Sequence, residues 1–179
     1  MSLLGVFLGG EGRNELGSRV GHPSYQSDDY PGVIEALLRR IRREGWAVIG
    51  AVQWCHITKL RARGPTPKEE QNVLGLVLEA KRADAEILAF IRDADADAER
   101  CGSIDVAMNR AEEMFSELHI IGGAAYPVLE AWLLAMMDHH RTEKLSKSDA
   151  QSKLIKEGIS EKDTPEIVSR LSEARIPRL

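Results

Sequence analysis

Three aspartates at alternate positions, Asp93, Asp95 and Asp97, follow the apolar run Ile87-Leu88-Ala89-Phe90-Ile91, with only Arg92 between. Carboxylates clustered in this way suit a hard divalent cation such as Mg²⁺, with Mn²⁺ as its substitute, because such ions take one or two carboxylates and keep several waters. A buried strand cannot carry unpaired charge, so the chain must leave the core here and present its acids at a sheet edge. In extended backbone, residues two apart project to the same side, which would let the three converge on one ion. For Asp97 a second reading stands beside this one: an aspartate just before a helix caps it.

A second run of this kind, residues 3–8, ends in Gly9-Gly10-Glu11-Gly12-Arg13-Asn14-Glu15. Between two glycines the backbone at Glu11 can turn sharply and approach a ligand closely. Its carboxylate would hold a second metal or act as general base toward water, with Glu15 one helical turn on in support, or else Glu11 is a solvated residue of a glycine turn. No Gly-Lys-Ser/Thr follows, so a phosphate-cradling nucleotide loop is not expected. Further along, Glu130 lies in the apolar stretch Val128-Leu129-Glu130-Ala131-Trp132-Leu133-Leu134. A charge there needs a partner, so Glu130 is either a further metal-binding carboxylate or the ion-pair partner of Arg92. Arg13 and Arg92, next to these acids in sequence, are the expected phosphate contacts.

The elements that must position these residues follow from periodicity. Residues 3–8 read as a buried strand closed by glycines, and 9–29 as a long functional loop. A helix from Pro31 carries Val33, Ile34, Leu37, Leu38 and Ile41 on one face and closes at Gly45. Residues 46–57 form a second strand leading into a basic loop. Thr66-Pro67-Lys68-Glu69 reads as a capping box opening a helix to about Asp84. The acid-bearing strand comes next, then a helix over 104–117, a strand over 118–121 ending at Gly122-Gly123, and a mostly apolar helix entered at Tyr126-Pro127. Such alternation implies an α/β fold: a mostly parallel, doubly wound, four-stranded sheet flanked by helices over residues 1–140. Ligands of such sheets bind beyond the carboxyl ends of the strands, where both acidic clusters fall. Residues 141–179 are charged and thinly apolar and read as a helical C-terminal appendage. One of its helices is capped by Ser148-Asp149-Ala150-Gln151 and ends at Gly158, and another starts at Thr164-Pro165.

Composition narrows the function classes. With 43% hydrophobic and 29% charged residues, the chain of 179 residues has the make-up of an ordinary globular protein. No apolar run approaches the roughly 20 residues of a membrane span. Without a secretory leader pattern or a cysteine framework, the expected location is the cytoplasm. A net charge of −4 argues against a protein that coats nucleic acid electrostatically, but leaves room for a nuclease whose bound cation offsets its acids. Arg39, Arg40, Arg42 and Arg43, with Lys59, Arg61 and Arg63, either meet phosphates or form a solvated face. The five histidines lack zinc spacing, and no nucleophile elbow is present.

Glu11-Gly12-x-x-Glu15 after a first strand, with an apolar strand ending in Asp93-x-Asp95, resembles the topoisomerase–primase (Toprim) domain. Pro127-Val128-Leu129-Glu130-Ala131-Trp132-Leu133-Leu134 narrows the likeness. It is similar to the Pro-x-x-Glu-x-Trp-Leu-Leu signature of uncharacterised bacterial Toprim-like proteins related to the overcoming-lysogenization-defect nucleases. The resemblance spans about residues 3–140. It implies Glu11 in acid–base or metal duty, Asp93 and Asp95 holding Mg²⁺, and a role in mobile-element or phage defence beside an ATPase. The expected activity is therefore Mg²⁺-dependent phosphodiester cleavage of nucleic acid, DNA ahead of RNA. The alternative is a catalytically silent Toprim-like scaffold that binds an ATPase or toxin through the helical tail and the surface near Trp132. A phosphotransferase of haloacid-dehalogenase type ranks below both, since its Asp-x-Asp normally ends the first strand and Thr or Val stands where this chain has Asp97.

Overall fold

The computed structural model describes residues 3–19, 30–60, 66–137, 139–159 and 167. Arg61 and Arg63, residues 20–29 of the first long loop, and Thr164-Pro165, where a further helix is expected to start, lie outside them. Strands β1 (Leu4–Gly10), β2 (Trp46–Gln53), β3 (Ile87–Asp93) and β4 (His119–Ala125) form one sheet in the order β2-β1-β3-β4, with every pairing parallel. Between them run helices α1 (Arg13–Leu16), α2 (Val33–Ile41), α3 (Lys68–Arg82) and α4 (Ala98–Met114). Helices α5 (Leu129–Met136) and α6 (Lys147–Lys156) follow the last strand.

Strand alternation builds two cores, one on each face of the sheet. Val6, Leu8, Ala89 and Ile91 point to one face and meet Leu16, Val33, Ile34 and Leu134. Phe7, Leu88 and Phe90 point to the other and meet Val73, Leu76, Ile104 and Ala111. The result is the three-layer, Rossmann-like α/β arrangement expected from the alternation of elements. No helix among the described residues is long and apolar enough to cross a membrane.

Several boundaries differ from expectation, each for a local reason. Strand β1 continues through Gly9 and Gly10, which pair with Val52 and Gln53, so Glu11 is the first residue beyond the strand. A Cβ on Gly10 would lie 2.6 Å from Glu15 Cβ, so the glycine lets α1 fold back onto the strand end. Strand β4 likewise runs through its glycines to Ala125. At Gly122 φ is +139° and a Cβ would stand 1.9 Å from the Phe90 carbonyl oxygen, which no other residue tolerates. Helix α4 starts at Ala98, six residues ahead of expectation, because its first turn is polar and carries no apolar signal. Ile41 is exposed instead of completing the face of α2.

Neither expected capping box forms. At α3 the N-cap is Pro67, and the Glu69 carboxylate accepts from the Trp54 indole N–H (3.1 Å) and from Asn72 (3.3 Å). At α6 the cap is Ser146, two residues before the expected box, and its Oγ accepts from the Asp149 N–H. The segment read as an appendage also reaches the main core: Ala150, Leu154, Ile159 and Ile167 belong to the same buried cluster as Val6 and Leu8. Leu154 is only 1% exposed. Leu154→Ala is therefore expected to cost about 3 kcal/mol in urea denaturation, as a cavity in the core of the whole domain would.

Candidate functional site

Strand order reverses between β1 and β3, and the ends of these two neighbours deliver the acids. Glu11 leaves β1 and Asp93 closes β3, and the Asp93 N–H donates to Glu11 Oε1 at 2.9 Å. The two stretches, far apart in sequence, thus meet at the switch point of the sheet. Beside them lies an open cleft of about 460 Å³, lined by Glu11, Gly12, Arg13, Asn14, Glu15, Asp93, Glu130, Lys147 and Gln151.

Asp93 is 7% exposed and has both oxygens engaged. Oδ1 accepts from the Leu129 N–H at 2.8 Å, tying the start of α5 to the end of β3. Oδ2 lies 3.2 Å from Lys147 Nζ, which also lies 3.2 Å from Asp95 Oδ1. Asp95 is not in extended backbone: it and Ala96 have φ of +50° and +58°. Its carboxylate reaches the Lys147 ammonium that Asp93 also contacts because of this left-handed turn, not through strand alternation. Asp95 Oδ2 also pairs with Arg100 at 2.7 Å. Partial burial pushes the Asp95 carboxyl up, but hydrogen bonds from Arg100 and Lys147 outweigh it and hold the group below its ordinary value. Asp97 is the N-cap of α4, accepting from the Arg100 N–H at 3.1 Å.

Arg92 does not pair with Glu130. Its guanidinium contacts Glu11, lies 3.5 Å from Glu69 and sits over the Trp54 ring, 5.5 Å from the centroid. Arg100 bridges Glu69 and Asp95, and donates to the Asp93 carbonyl at 2.9 Å. An alternating chain of charges therefore runs Glu11, Arg92, Glu69, Arg100, Asp95, Lys147, Asp93, with Glu11, Lys147 and Asp93 lining the cleft. Arg13, at the start of α1, lines the cleft beside Glu11 on the β1 side.

Glu15 and Glu130 are the acids that this chain of charges leaves out. Glu15 is buried and its Oε2 accepts from the Gly12 N–H at 2.8 Å. Burial pushes its carboxyl up, as do the charges of Asp93 and Glu11. Glu130 Oε1 takes a long 3.4 Å bond from Gln151, while Oε2 is buried without a hydrogen-bond partner. Burial raises Glu130 as well, with Asp93 adding to it. A carboxyl that holds its proton to higher pH in the fold loses it first in the unfolded chain. Stability therefore falls as pH rises above the ordinary 4.5, until the folded group has ionised too. Glu130→Gln keeps an acceptor for Gln151 and removes the ionisable group. The variant should melt about 2–4 °C higher than the parent at pH 8 and decline less between pH 5 and 8, as read by calorimetry across pH.

Among the described residues, no three His, Cys, Asp or Glu side chains stand grouped as a ready metal cage. The reason is visible: Arg92, Arg100 and Lys147 occupy oxygens that a metal would use. Mg²⁺ needs only one or two protein carboxylates, however. Asp93 and Asp95 already share one cation, the Lys147 ammonium, and Glu130 Oε2 is a buried oxygen lacking a positive neighbour in bonding distance. Two carboxylates on one cation are the number that a hydrated Mg²⁺ would take from a protein.

Sequence reasoning does not reach Lys147 or Arg100, and it reads Glu69 and Gln151 only as capping-box residues. One signal for Lys147 existed. A lysine in the first turn of a helix opposes the helix dipole, and its placement directly after the Ser146 cap points to an acidic partner nearby. No protein-family model, curated protein or solved structure matches the chain.

Proposed function

We propose that the chain is a Mg²⁺-dependent, Toprim-like phosphodiesterase that cuts nucleic acid, DNA ahead of RNA, in the setting of mobile-element or phage defence. The observation that carries this reading is the direct contact of Glu11 with the Asp93 N–H, beside an Asp93–Asp95 pair that already binds one cation. Asp93 and Asp95 would hold the metal. Bound there, Mg²⁺ supplies Lewis acidity to a phosphoryl oxygen and neutralises charge that develops in phosphodiester cleavage.

The protein groups supply the rest. Glu11, fixed by the Asp93 N–H and Arg92, faces the cleft and accepts a proton from the attacking water. Arg13 and Lys147 give the cleft positive charge for phosphate oxygens. Arg92 serves by holding Glu11 and Glu69 apart and in place. Four acids against two bases line the cleft, so a phosphodiester approaches only once a cation offsets them.

The test is cleavage of supercoiled plasmid and single-stranded DNA by the purified chain with Mg²⁺ or Mn²⁺. Cleavage at the parental rate by Asp93→Ala removes Asp93 from the chemistry and overturns this reading. Absence of both cleavage and metal binding favours the silent scaffold instead. For that second reading the supporting observation is the aromatic pair Tyr126 and Trp132, 48% and 39% exposed, joined by the Trp132 indole N–H to the Tyr126 carbonyl at 3.0 Å. Such a surface suits an ATPase or toxin partner.

A further inference from the structure

Lys147 occupies the position between two carboxylates that a divalent ion would take. Its Nζ is equidistant, at 3.2 Å, from Asp93 Oδ2 and Asp95 Oδ1. The three partners differ in how firmly they are held. Asp93 ends a central strand and its Oδ1 is fixed by the Leu129 N–H. Asp95 is clamped by Arg100, which is itself tied to the Asp93 and Ala94 carbonyls and to Glu69. The lysine side chain, by contrast, is a flexible four-carbon stem and is 46% exposed on the cleft side. Helix α6, which carries it, is anchored separately by Ala150 and Leu154. The acids are therefore fixed and the ammonium is free to swing without unpacking its helix.

Resting on the metal-centred reading above, we infer that Lys147 is the built-in counter-cation of the Asp93–Asp95 pair, displaced when a divalent ion binds and returning when it leaves. Two consequences follow from elementary electrostatics. Without metal, the ammonium relieves repulsion between two carboxylates held on one cation. With metal, binding must first break two ion pairs, so Lys147 lowers affinity and confines loading to ion concentrations that compete with it. The helical segment read from sequence as an appendage thereby sets the metal threshold of the site.

The experiment measures Mn²⁺ binding to the full chain by titration calorimetry, for the parent and for Lys147→Met. In parallel, labelling of each lysine by an amine-reactive acetylating reagent is followed by mass spectrometry, with and without Mn²⁺. Lys147→Met is expected to bind Mn²⁺ about tenfold tighter or more, because an attractive competitor and a repulsive charge are both removed. In the parent, Mn²⁺ is expected to raise labelling at Lys147 selectively over the other lysines. Equal or weaker Mn²⁺ binding by Lys147→Met, or unchanged Lys147 labelling while the parent binds Mn²⁺, overturns the exchange and leaves the metal-centred reading standing. Absence of Mn²⁺ binding in both proteins overturns the two together. The labelling arm uses the unaltered chain, so it decides the matter even if the variant fails to fold.

Discussion

Asp93→Asn is expected to lower Mg²⁺-dependent cleavage by about 10²-fold or more, since the several kcal/mol a metal contributes to charge stabilisation are worth a decade per 1.36 kcal/mol. The asparagine keeps a carbonyl oxygen for the Leu129 N–H, so the start of α5 stays tied to β3, and the stability lost is that of the half-exposed Lys147 pair alone, about 1 kcal/mol or less. Alanine at the same position removes that acceptor as well. A buried N–H without a partner costs about 1–3 kcal/mol, so Asp93→Ala should lose stability by that order in addition to activity. Single-turnover cleavage and urea denaturation of the two variants separate the contributions. An asparagine variant that cleaves at the parental rate would remove Asp93 from the chemistry. An alanine variant as stable as the parent would mean that the Leu129 contact contributes nothing to the fold.

Arg92→Ala is the second large effect, and it should appear chiefly in stability. The guanidinium serves Glu11 and Glu69 together and lies on the Trp54 ring, which in turn stacks on Phe90 of the core at 5.9 Å between centroids. Removing it takes the shared cation from Glu11 and from the mostly buried Glu69, which keeps only Arg100 as a charged partner. Loss of one partner from a buried ion pair typically costs 3–5 kcal/mol, and the partial exposure of Glu11 places the expectation near the lower end, about 3 kcal/mol. Lysine should restore only part of this, because a point charge cannot bridge two carboxylates and lie flat on an indole at once. Chemical denaturation of the alanine and lysine variants is the measurement. If alanine is tolerated within 1 kcal/mol, the Glu11–Arg92–Glu69 chain is a surface feature without structural weight.

How much of this was legible in the sequence depends on whether a signal is local. Apolar runs closed by glycine or acid marked β1, β3 and β4, a Val-, Ile- and Trp-rich run marked β2, and alternation of strand and helix marked the parallel sheet. These features arise from a residue's own side chain and its immediate neighbours. Even the meeting of Glu11 with Asp93 followed from topology, because parallel strands deliver their carboxyl ends to a single edge. Boundaries set by polar first turns were less visible. Helix α4 begins on Ala98-Glu99-Arg100 and α6 on a Ser146 cap that competes with a second serine two residues on.

The sequence by itself determined which acids reach the sheet edge, since strand ends and burial of apolar runs are properties of short segments. Only the tertiary structure decided which cations meet them. Glu69 looks like half of a capping box until Trp54, Arg92 and Arg100 are brought around it from three other elements. Lys147 looks like an ordinary surface lysine until α6 packs its Ala150 and Leu154 against the core and sets the ammonium between Asp93 and Asp95. Pairing of charges is a matter of distance across the fold, and distance between residues some fifty positions apart is written in packing, not in composition or period.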